Sequence, residues 1–406
     1  MSERVFVTGV GCVIPKALNA EAFWHRMVRA ESSLERVTRF DASEYRTQIA
    51  GELTADISTL VGFNVRASSR NAQFAVAAAL ETLRDARILD DPSLSDTGIC
   101  LGSGLGGVYF SEESIKSLLD KGPRGVSPYE VPYVDPNGIV NQVAIRWGMR
   151  GAQMTISSAC SSSAHAIGHA LDMIRAGRCD AVLAGGVEAT ISPLIFAGFD
   201  RIRAMSARNS TPHTACRPFS DDRDGFVMSE GAAMLFLESE SHARRRGARI
   251  LAELKGYGAC GGAYHAVAPR PNGEDLVVAM HKALADGGVG PDEVDLINPH
   301  GTGTRLNDDA EAIALRTVFG DRLDDLAITP IKQLTGHLLG ASAALESVHV
   351  VKSIQASFVT PVQHYQSTKA LRVLCGQGES RTLRNVINNS FGFGNNNASL
   401  VFGAYP

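Results

Sequence analysis

A cysteine at the junction of a predicted strand and a predicted helix is the strongest chemical signal in the sequence. The segment Met154-Thr-Ile-Ser-Ser-Ala-Cys160-Ser-Ser-Ser passes from a β-branched stretch directly into a run with helical spacing. Such a turn presents the sulfur at a sheet edge and at a helix N-terminus, where the dipole and free N–H groups favour the nucleophilic thiolate. Cys160 is therefore a candidate nucleophile, and a buried structural cysteine at a tight turn is the alternative.

Two histidines lie in glycine-rich loops that follow predicted strands. His300 stands in Asn298-Pro-His-Gly-Thr-Gly-Thr304, and His337 stands in Lys332-Gln-Leu-Thr-Gly-His-Leu-Leu-Gly340. Loops at strand ends are where α/β proteins present functional side chains. A single loop histidine is usually structural, but two in this setting, together with Cys160, indicate a functional site.

The C-terminal loop Phe391-Gly-Phe-Gly394 has the composition of a backbone ligand site. Glycines on both sides of Phe393 allow its N–H to approach a ligand closely. An oxyanion hole requires such a donor, so Phe393 is a candidate for one.

Two other motifs match known functional patterns, but the residues around them do not fit the corresponding sites. Gly102-Ser-Gly-Leu-Gly-Gly107 matches the dinucleotide fingerprint GxGxxG, but no second strand ending in an acid follows about 20 residues later. A glycine turn for close backbone packing is the better interpretation. His165 and His169 have the spacing of zinc ligands in HExxH, but position 166 is alanine and no third ligand follows. A packed or exposed histidine pair is the better interpretation, and no metal site is predicted.

Short apolar or β-branched runs alternate with helical patterns along most of the chain. One helix is predicted over Ile139–Trp147, another over Ser161–Arg175, and each is followed by a terminating glycine. This alternation predicts an α/β protein. The segments starting at Val5 and Ile250 resemble each other weakly, since each is a strand that ends in glycines. Candidate strands are Val5–Thr8, Gly98–Gly102, Met154–Ser157, Ala181–Ala184, Ala233–Leu237, Ile250–Leu254 and Val294–Asn298.

Composition excludes several classes of protein. With 39 Lys+Arg against 43 Asp+Glu, the 406-residue chain has a net charge of −4, so nucleic acid is not an expected partner. The seven cysteines form no CxxC motif and fit a reducing cytoplasm. No apolar run approaches the ~18 residues that a bilayer span needs, so no membrane partner is expected. The N-terminus is interpreted as a first strand and not as a signal peptide.

The chemical motifs together resemble one family, the β-ketoacyl-acyl-carrier-protein synthases of the elongating type II group, which belong to the thiolase superfamily. The similarity rests on five segments in order: Ala159-Cys-Ser161, Arg217–Val227, Pro299–Thr304, Lys332–Glu346 and Phe391–Gly394. It implies a thiolase-like duplicated αβαβα layered fold, with an N-terminal half over residues 1–248 carrying the cysteine. A C-terminal half over residues 249–406 would carry both histidines and the glycine-rich gating loop. It also implies a homodimer or a heterodimer with a related ketosynthase-like subunit.

The resemblance also implies a mechanism. Cys160 takes an acyl chain from an acyl carrier protein, and the N–H groups of Cys160 and Phe393 hold the oxyanion. His300 and His337 then stabilise the enolate that forms when malonyl carrier protein loses CO₂, which requires Nε2–H on both rings. No metal or redox cofactor is needed, because the phosphopantetheine arm arrives on the carrier protein.

Further residues receive supporting roles from the same resemblance. Lys332 is expected to order the site with Glu346, and its charge favours neutral histidines. Asp308 and Glu311 match acids that support the histidine loop; a charge pair at a helix N-terminus is equally compatible. The residues expected to line or gate the acyl pocket are Leu105, Phe199, Phe393 and Asn395. The basic patch expected to dock an acidic carrier comprises Arg66, Arg70, Arg203 and Arg208.

Related enzymes with other activities differ from this chain at identifiable positions. Thiolases carry a second catalytic cysteine where this chain has Phe393, and synthases that start from acyl-CoA use Cys-His-Asn. Chain-length-factor subunits lack the nucleophile, so Cys160 argues for an enzyme; a non-catalytic partner subunit with a vestigial Cys160 is the alternative. Three serines follow Cys160, and Asn395 replaces a usual glycine. These departures favour a specialised pathway that builds a polyketide, a polyene or an unusual acyl chain over ordinary fatty-acid elongation.

Overall fold

The computed structural model describes residues 3–61, 69–368 and 371–405 and shows a mixed α/β architecture. In the first part of the chain the strands are β1 (Val5–Val13), β2 (Glu35–Arg36), β3 (Ile49–Ala50), β4 (Gly98–Gly102), β5 (Gln153–Ile156), β6 (Ala181–Glu188) and β7 (Gly231–Ser239). The helices there are α1 (Ala20–Val28), α2 (Ser58–Val61), α3 (Arg70–Asp85), α4 (Val108–Lys121), α5 (Glu130–Val134), α6 (Gly138–Trp147), α7 (Ser162–Arg175), α8 (Pro193–Arg201) and α9 (Glu240–Arg245).

The second part of the chain repeats this alternation with fewer helices. Its strands are β8 (Ala252–Gly261), β9 (Leu296–Asn298), β10 (Ala327–Ile328), β11 (Phe358–Val359), β12 (Arg372–Val373), β13 (Glu379–Ser380), β14 (Asn385–Gly392) and β15 (Asn396–Gly403). Its helices are α10 (Glu274–Gly287), α11 (Arg305–Phe319), α12 (Lys332–Thr335) and α13 (Ser342–Ala356).

The main sheet consists of two runs of strands with the same order and the same directions. From the centre outward one run is β1-β7-β6-β4-β5 and the other is β8-β15-β14-β9-β10, with β12 added at its edge. In both runs the first two pairings are antiparallel and the next two are parallel. Strands β1 and β8 join the two runs by antiparallel pairing. The weak sequence similarity between the two strand openings thus reflects an internal duplication of topology.

Three large apolar clusters lie between the helices and the strands of the main sheet. One core lies under α3 and α6 on the outside of the first run of strands, and a second lies under α10 and α11 on the outside of the other run. The largest core surrounds α7 and α13, which contact strands of both runs. A helix buried on all sides needs apolar or small residues around its whole circumference, and α13 satisfies this with buried alanines, valines and serines.

The carboxyl ends of four strands of the main sheet lead into the candidate site. The turn after β5 carries Cys160, the loop after β9 carries His300, and the segment after β10 carries His337. The loop after β14 carries Phe393. β9, β10 and β14 are parallel to one another, so their ends bring His300, His337 and Phe393 to one edge. β5 belongs to the other run and is antiparallel to these strands, so the packing of the two runs brings Cys160 to them.

The predicted strands and helices occur with small shifts at their ends. β1 continues to Val13 and β6 to Glu188, because both runs are completely buried and pair along their full length. The prediction missed the hairpin of β14 and β15. Its strands contain buried asparagines such as Asn388 and Asn389, whose amides are hydrogen-bonded internally. Polar residues at buried positions interrupt the apolar run by which a buried strand is predicted.

The first glycine of the GxGxxG segment is required by packing. A Cβ on Gly102 would lie 2.3 Å from the backbone of Ser162 and Ser163, at the start of α7. The close approach of β4 to the helix that follows Cys160 thus depends on this glycine. Among the described residues, no helix is long and apolar enough to cross a membrane.

This packing predicts opposite effects for two glycine-to-alanine substitutions. Gly102→Ala forces backbone apart and should lower the free energy of unfolding by about 1–3 kcal/mol or more. Gly198→Ala, in α8, meets no atom within 4 Å and should be neutral or stabilise the protein by about 0.5–1 kcal/mol. Urea unfolding of both variants measures the difference. Equal stability of the two variants would contradict the packing argument.

Candidate active site

Cys160 occupies a sharp turn between β5 and α7. Ala159 just before it has a φ of +54°, in a region that non-glycine residues rarely adopt. Serine hydroxyls hold the turn: Ser162 Oγ accepts from Ser158 N at 2.9 Å, and Ser161 Oγ lies 2.6 Å from the carbonyl oxygen of Asn396. The serines after Cys160 therefore fix the strained turn and attach it to the C-terminal hairpin.

The sulfur of Cys160 is buried, and burial controls its protonation. Burial raises the pKa of the Cys160 thiol to about 11, while the nearby backbone N–H groups of Phe393 and Cys160 and the charge of Lys332 oppose this rise. The expectation that the helix N-terminus favours a thiolate is therefore not met in the free protein, because desolvation is the larger effect. The thiol is protonated at neutral pH, and its sulfur faces the two N–H groups expected to bind an oxyanion.

Neighbouring side chains bind both the backbone and the ring of His300. Its N–H donates to Glu311 Oε1 at 2.7 Å, and its carbonyl oxygen accepts from Lys332 Nζ at 2.6 Å. The same ammonium lies 3.4 Å from the ring Nδ1. An ammonium only donates, so Nδ1 is the acceptor and the ring proton resides on Nε2. Burial and then the charge of Lys332 hold the pKa of His300 well below its usual value, so the ring is neutral.

His337 lies against His300, with ring centroids 5.4 Å apart and an angle of 80° between the rings. Its backbone N–H donates to Val227 O at 2.8 Å, and its ring also meets Phe226 edge-on. Burial and the charge of Lys332 lower the pKa of His337 well below its usual value. The site therefore contains two neutral imidazoles beside one cysteine.

Lys332 and Glu346 form an ion pair inside the protein. Lys332 Nζ donates to Glu346 Oε1, and both residues are at most 2 % exposed. Burial raises the pKa of Glu346 to about 7, although the neighbouring ammonium opposes the rise. The pair places the Lys332 ammonium beside His300, in the position expected for Lys332.

Asp308 and Glu311 bind the backbone of the histidine loop. Glu311 accepts from the N–H of Gly301 at 2.8 Å in addition to that of His300. Asp308 accepts from Phe219 N at 2.7 Å and from Gly303 N at 3.2 Å. Both acids are buried in the first two turns of α11. The sequence left two alternatives for these acids, support of the histidine loop and a charge pair at a helix N-terminus. Both descriptions apply, because the acids lie at the start of α11 and bind the loop from there.

The loop that carries Phe393 is attached to the segment around residue 266. Gly394 has a φ of +76° and donates its N–H to Ala266 O at 2.8 Å. Asn395 has a φ of +56°, and its buried amide donates to His265 O at 2.7 Å and to Ala268 O at 3.1 Å. Asn395 thus anchors the loop from behind and does not line the cavity, unlike the pocket position expected for it.

A cavity of about 300 Å³ connects these groups to the surface. Cys160, His300, His337 and Phe393 line its inner end, and Phe199 forms part of its wall. Leu105 is not part of this lining; it belongs to the apolar cluster that contains Cys160. The described residues contain no cluster of three or more metal-ligating side chains.

The four arginines of the expected basic patch have different environments. Arg66 lies outside the described residues. Arg70 does not belong to an exposed patch, because its guanidinium is largely buried, pairs with Glu230 and donates to Leu53 O. Arg208 is bound by the carboxylates of Asp222 and Asp224. Of the three arginines that the structure describes, Arg203 alone is exposed at the cavity mouth.

Two residues near the site were not predicted. Arg305 is exposed on the cavity lining, where the sequence shows only an arginine after a glycine-rich loop. Glu188, at the end of β6, accepts from Gly104 N at 2.8 Å and from Gly340 N at 2.9 Å. Burial raises the pKa of Glu188 to about 7. The Glu188 carboxyl thus connects the loop that contains Leu105 to the loop that contains His337. In the sequence, the only sign of this role is an acidic residue at the end of an apolar strand.

Two domain models match this chain. The N-terminal domain of β-ketoacyl synthases matches residues 2–243, and the C-terminal domain matches residues 251–366. The chain belongs to the β-ketoacyl synthase family. The 3-oxoacyl-[acyl-carrier-protein] synthase 2 of Staphylococcus aureus (strain N315) is 37% identical over 99% of this chain and 98% of the relative. The protein of that name from Coxiella burnetii is also 37% identical, with 98% of each chain covered.

Solved structures give the same result. A ketosynthase of Burkholderia phymatum STM815 is 30% identical with a TM-score of 0.92, and the ishigamide ketosynthase/chain length factor is 30% identical with a TM-score of 0.93. A type II polyketide synthase acyl carrier protein in complex with its ketosynthase also aligns, with 29% identity and a TM-score of 0.93. Each match covers 100% of both chains. The predicted thiolase-like fold and the predicted condensing acyltransferase of the β-ketoacyl synthase type are confirmed.

The buried ion pair predicts a strong energetic coupling. Lys332→Met or Glu346→Leu leaves one buried charge without its partner and should cost about 3–5 kcal/mol of folding free energy. The double variant should lose far less than the sum, because no unpaired charge remains. Chemical denaturation of all four proteins gives the coupling energy. The exposed pair Lys116–Glu113 is the control, with an expected coupling below about 1 kcal/mol. Additive losses at the buried pair would contradict the assignment.

Proposed function

We propose that this ketosynthase extends acyl chains by decarboxylative Claisen condensation, with Cys160 as the residue that carries the chain. The observation that supports this most directly is the composition of the inner cavity. It brings one thiol against two backbone N–H groups and places two neutral imidazoles beside it. Acyl transfer needs the thiol and the two donors, and enolate formation needs the two imidazoles.

In the first step the sulfur of Cys160 attacks the thioester carbonyl of an acyl carrier protein. The carbonyl oxygen becomes an oxyanion, which the N–H groups of Cys160 and Phe393 bind. The carrier's sulfur leaves as a thiolate and receives the proton that Cys160 loses. Burial raises the pKa of the free thiol to about 11, so forming the nucleophilic thiolate costs free energy, and the N–H groups of Phe393 and Cys160 and the charge of Lys332 reduce that cost.

In the second step a malonyl thioester occupies the cavity with its carbonyl oxygen facing the two histidines. Its carboxylate leaves as CO₂, and the electron pair of the broken carbon–carbon bond forms an enolate. The Nε2–H groups of His300 and His337 stabilise the enolate oxygen. The enolate carbon then attacks the acyl-Cys160 carbonyl, and the cysteine sulfur leaves as a thiolate that takes up one proton from solvent, so the chain grows by two carbons.

The neutral state of the histidines supports this role. Lys332 repels a proton on either ring, and burial disfavours the charged imidazolium in the same direction. Fixed neutral donors stabilise the charge that develops on oxygen without giving up their protons. All atoms and electrons of the reaction balance without a metal or redox cofactor, and the phosphopantetheine arm enters on the carrier protein.

The carrier-protein partner is proposed to dock at the mouth of the cavity. Arg203 and Arg305 are exposed there, and neither forms an ion pair among the described residues. Carrier proteins are acidic, so two free guanidiniums at the entrance provide local attraction despite the net charge of −4. One structural neighbour is itself a ketosynthase bound to its acyl carrier protein.

A second ketosynthase-like chain is proposed to cover one apolar face. This face, formed by α4, α5 and α6, exposes Leu119, Val131 and Ile145 at 80%, 82% and 76% of their surface. Beside it, β5 ends the sheet with one edge that has no partner among the described residues. Exposed apolar side chains next to an open strand are typical of a subunit interface. The chain therefore acts as a homodimer or with a related subunit.

The pathway is proposed to be a specialised one that produces a polyketide, a polyene or an unusual acyl chain. The serine-rich turn after Cys160 and the anchored Asn395 support this proposal. The structural similarity to a polyketide ketosynthase complex and to the ishigamide ketosynthase/chain length factor agrees with it. The 37% identity to 3-oxoacyl synthase 2 proteins shows that the basic condensing machinery is shared.

The proposed roles predict separate effects for two variants. Incubation with acyl carrier proteins that bear saturated, polyene or β-keto chains should add one acyl group to Cys160, detected by mass spectrometry and absent in Cys160→Ala. His300→Ala should retain this acylation but lose CO₂ release from malonyl carrier protein by about a hundredfold or more. A wild-type protein that stays unmodified with every donor is instead a non-catalytic partner subunit. Equal loss of both steps in His300→Ala would contradict the division of roles.

The apolar face predicts the behaviour of surface variants. Light scattering after gel filtration should show twice the 43.2 kDa mass of the chain, or a heterodimer when the second subunit is supplied. Val131→Glu with Ile145→Glu should abolish this assembly, because two charges would be buried without partners. Ile313→Glu, on the exposed side of α11, is the control and should leave the assembly intact. Assembly that survives the double substitution would place the interface elsewhere.

A further inference from the structure

The ring of His337 also has a polar side chain within hydrogen-bond distance. Ser342 Oγ lies 2.8 Å from His337 Nδ1, and both residues are 2 % exposed. We propose that Ser342 is a positioning residue for the condensation proposed above: its hydroxyl donates to Nδ1 and thereby keeps the proton of His337 on Nε2, facing the cavity. Neither the sequence motif nor the proposed mechanism requires a serine at this position.

The direction of this hydrogen bond follows from counting protons. A serine hydroxyl has one hydrogen, and among the described residues His337 Nδ1 is its hydrogen-bond partner. If Nδ1 carried the proton, Ser342 would only accept, and its own buried hydrogen would have no acceptor. Buried donors without a partner are disfavoured, so the hydroxyl donates and Nδ1 accepts.

The surroundings hold the ring in the orientation that this bond requires. The backbone N–H of His337 is bound to Val227 O, and the ring is in edge contact with Phe226 at 5.3 Å and with His300 at 5.4 Å. Ser342 is the first residue of α13, the buried helix of the central layer. The hydroxyl is therefore held by a rigid helix, and the ring that accepts its hydrogen bond is held by packing.

The two histidines thus reach the same tautomer by different means. The ammonium of Lys332 donates to Nδ1 of His300, whereas a neutral hydroxyl donates to Nδ1 of His337. A change at Ser342 should consequently alter one ring and leave the other. It should also leave Cys160 acylation intact, because the oxyanion donors for that step are backbone groups.

The first experiment separates the two half-reactions. Ser342→Ala should acylate Cys160 at the wild-type rate but release CO₂ from malonyl carrier protein about tenfold more slowly. Ser342→Thr retains a hydroxyl and should restore most of that rate. Ser353→Ala removes a buried hydroxyl from the same helix, remote from the cavity, and should leave both half-reactions unchanged.

The second experiment reads the tautomer directly and needs no substrate. Long-range ¹H–¹⁵N spectra of [¹⁵N]histidine-labelled full-length protein, assigned with His337→Gln, should show an unprotonated Nδ1 and a protonated Nε2 for His337. Ser342→Ala should shift this signal toward a mixture of both tautomers, and Ser342→Thr should not.

Three results would overturn the proposal: a protonated Nδ1 in the wild type, wild-type CO₂ release by Ser342→Ala, or equal losses in both half-reactions. If Ser342→Ala does not fold, the wild-type spectrum and Ser342→Thr still decide. A protein that is never acylated refutes the proposed condensation, but the tautomer of His337 remains measurable, so the two failures are distinguishable.

Discussion

The buried ammonium of Lys332 is the charge to which the rest of the site responds. It contacts Glu346, the carbonyl oxygen of His300 and the ring Nδ1 of His300. It also lowers the pKa of Cys160, His300 and His337. One cation thus opposes the effect of burial on the thiol and reinforces it on the imidazoles. The result is a site with neutral hydrogen-bond donors and a thiol whose ionisation is less costly than burial alone would make it.

Buried carboxyl groups determine where the loops of the site lie. Glu188, Asp308 and Glu311 each accept backbone N–H groups of loops that end beside the cavity. Glycine-rich loops lack side chains that could pack them, so these acceptors supply the fixed geometry that catalysis needs. The arrangement has an electrostatic cost, because burial raises the pKa of Glu188 and Glu311 to about 7. The acids therefore contribute to the positioning of the site through their hydrogen bonds to the loops.

The sequence allowed prediction of residues whose position follows from local pattern. Cys160, His300 and His337 each follow a strand end, so their types and their neighbours indicated the chemistry. The packing of the two halves, which the sequence does not show, brings Cys160 beside the histidines. Glu188 and Ser342 carry no such signal, because their roles arise from contacts with segments more than eighty residues away or with a ring whose orientation only packing defines. Arg70 and Arg305 show the same limit for charge: the sequence cannot distinguish a guanidinium buried on Glu230 from one exposed at a cavity mouth.

The duplication explains how a symmetric architecture gives an asymmetric site. Cys160 stands just before α7, and His337 stands just before α13, so corresponding buried helices follow the nucleophile in one half and an enolate-stabilising histidine in the other. In both halves the start of the helix presents serine hydroxyls. Ser161 and Ser162 fix the strained cysteine turn, and Ser342 reaches the histidine ring. The start of the buried helix thus orients the sulfur of Cys160 in one half and the ring proton of His337 in the other. Condensation requires both groups, because the acyl chain on Cys160 and the enolate beside His337 must meet in the correct geometry.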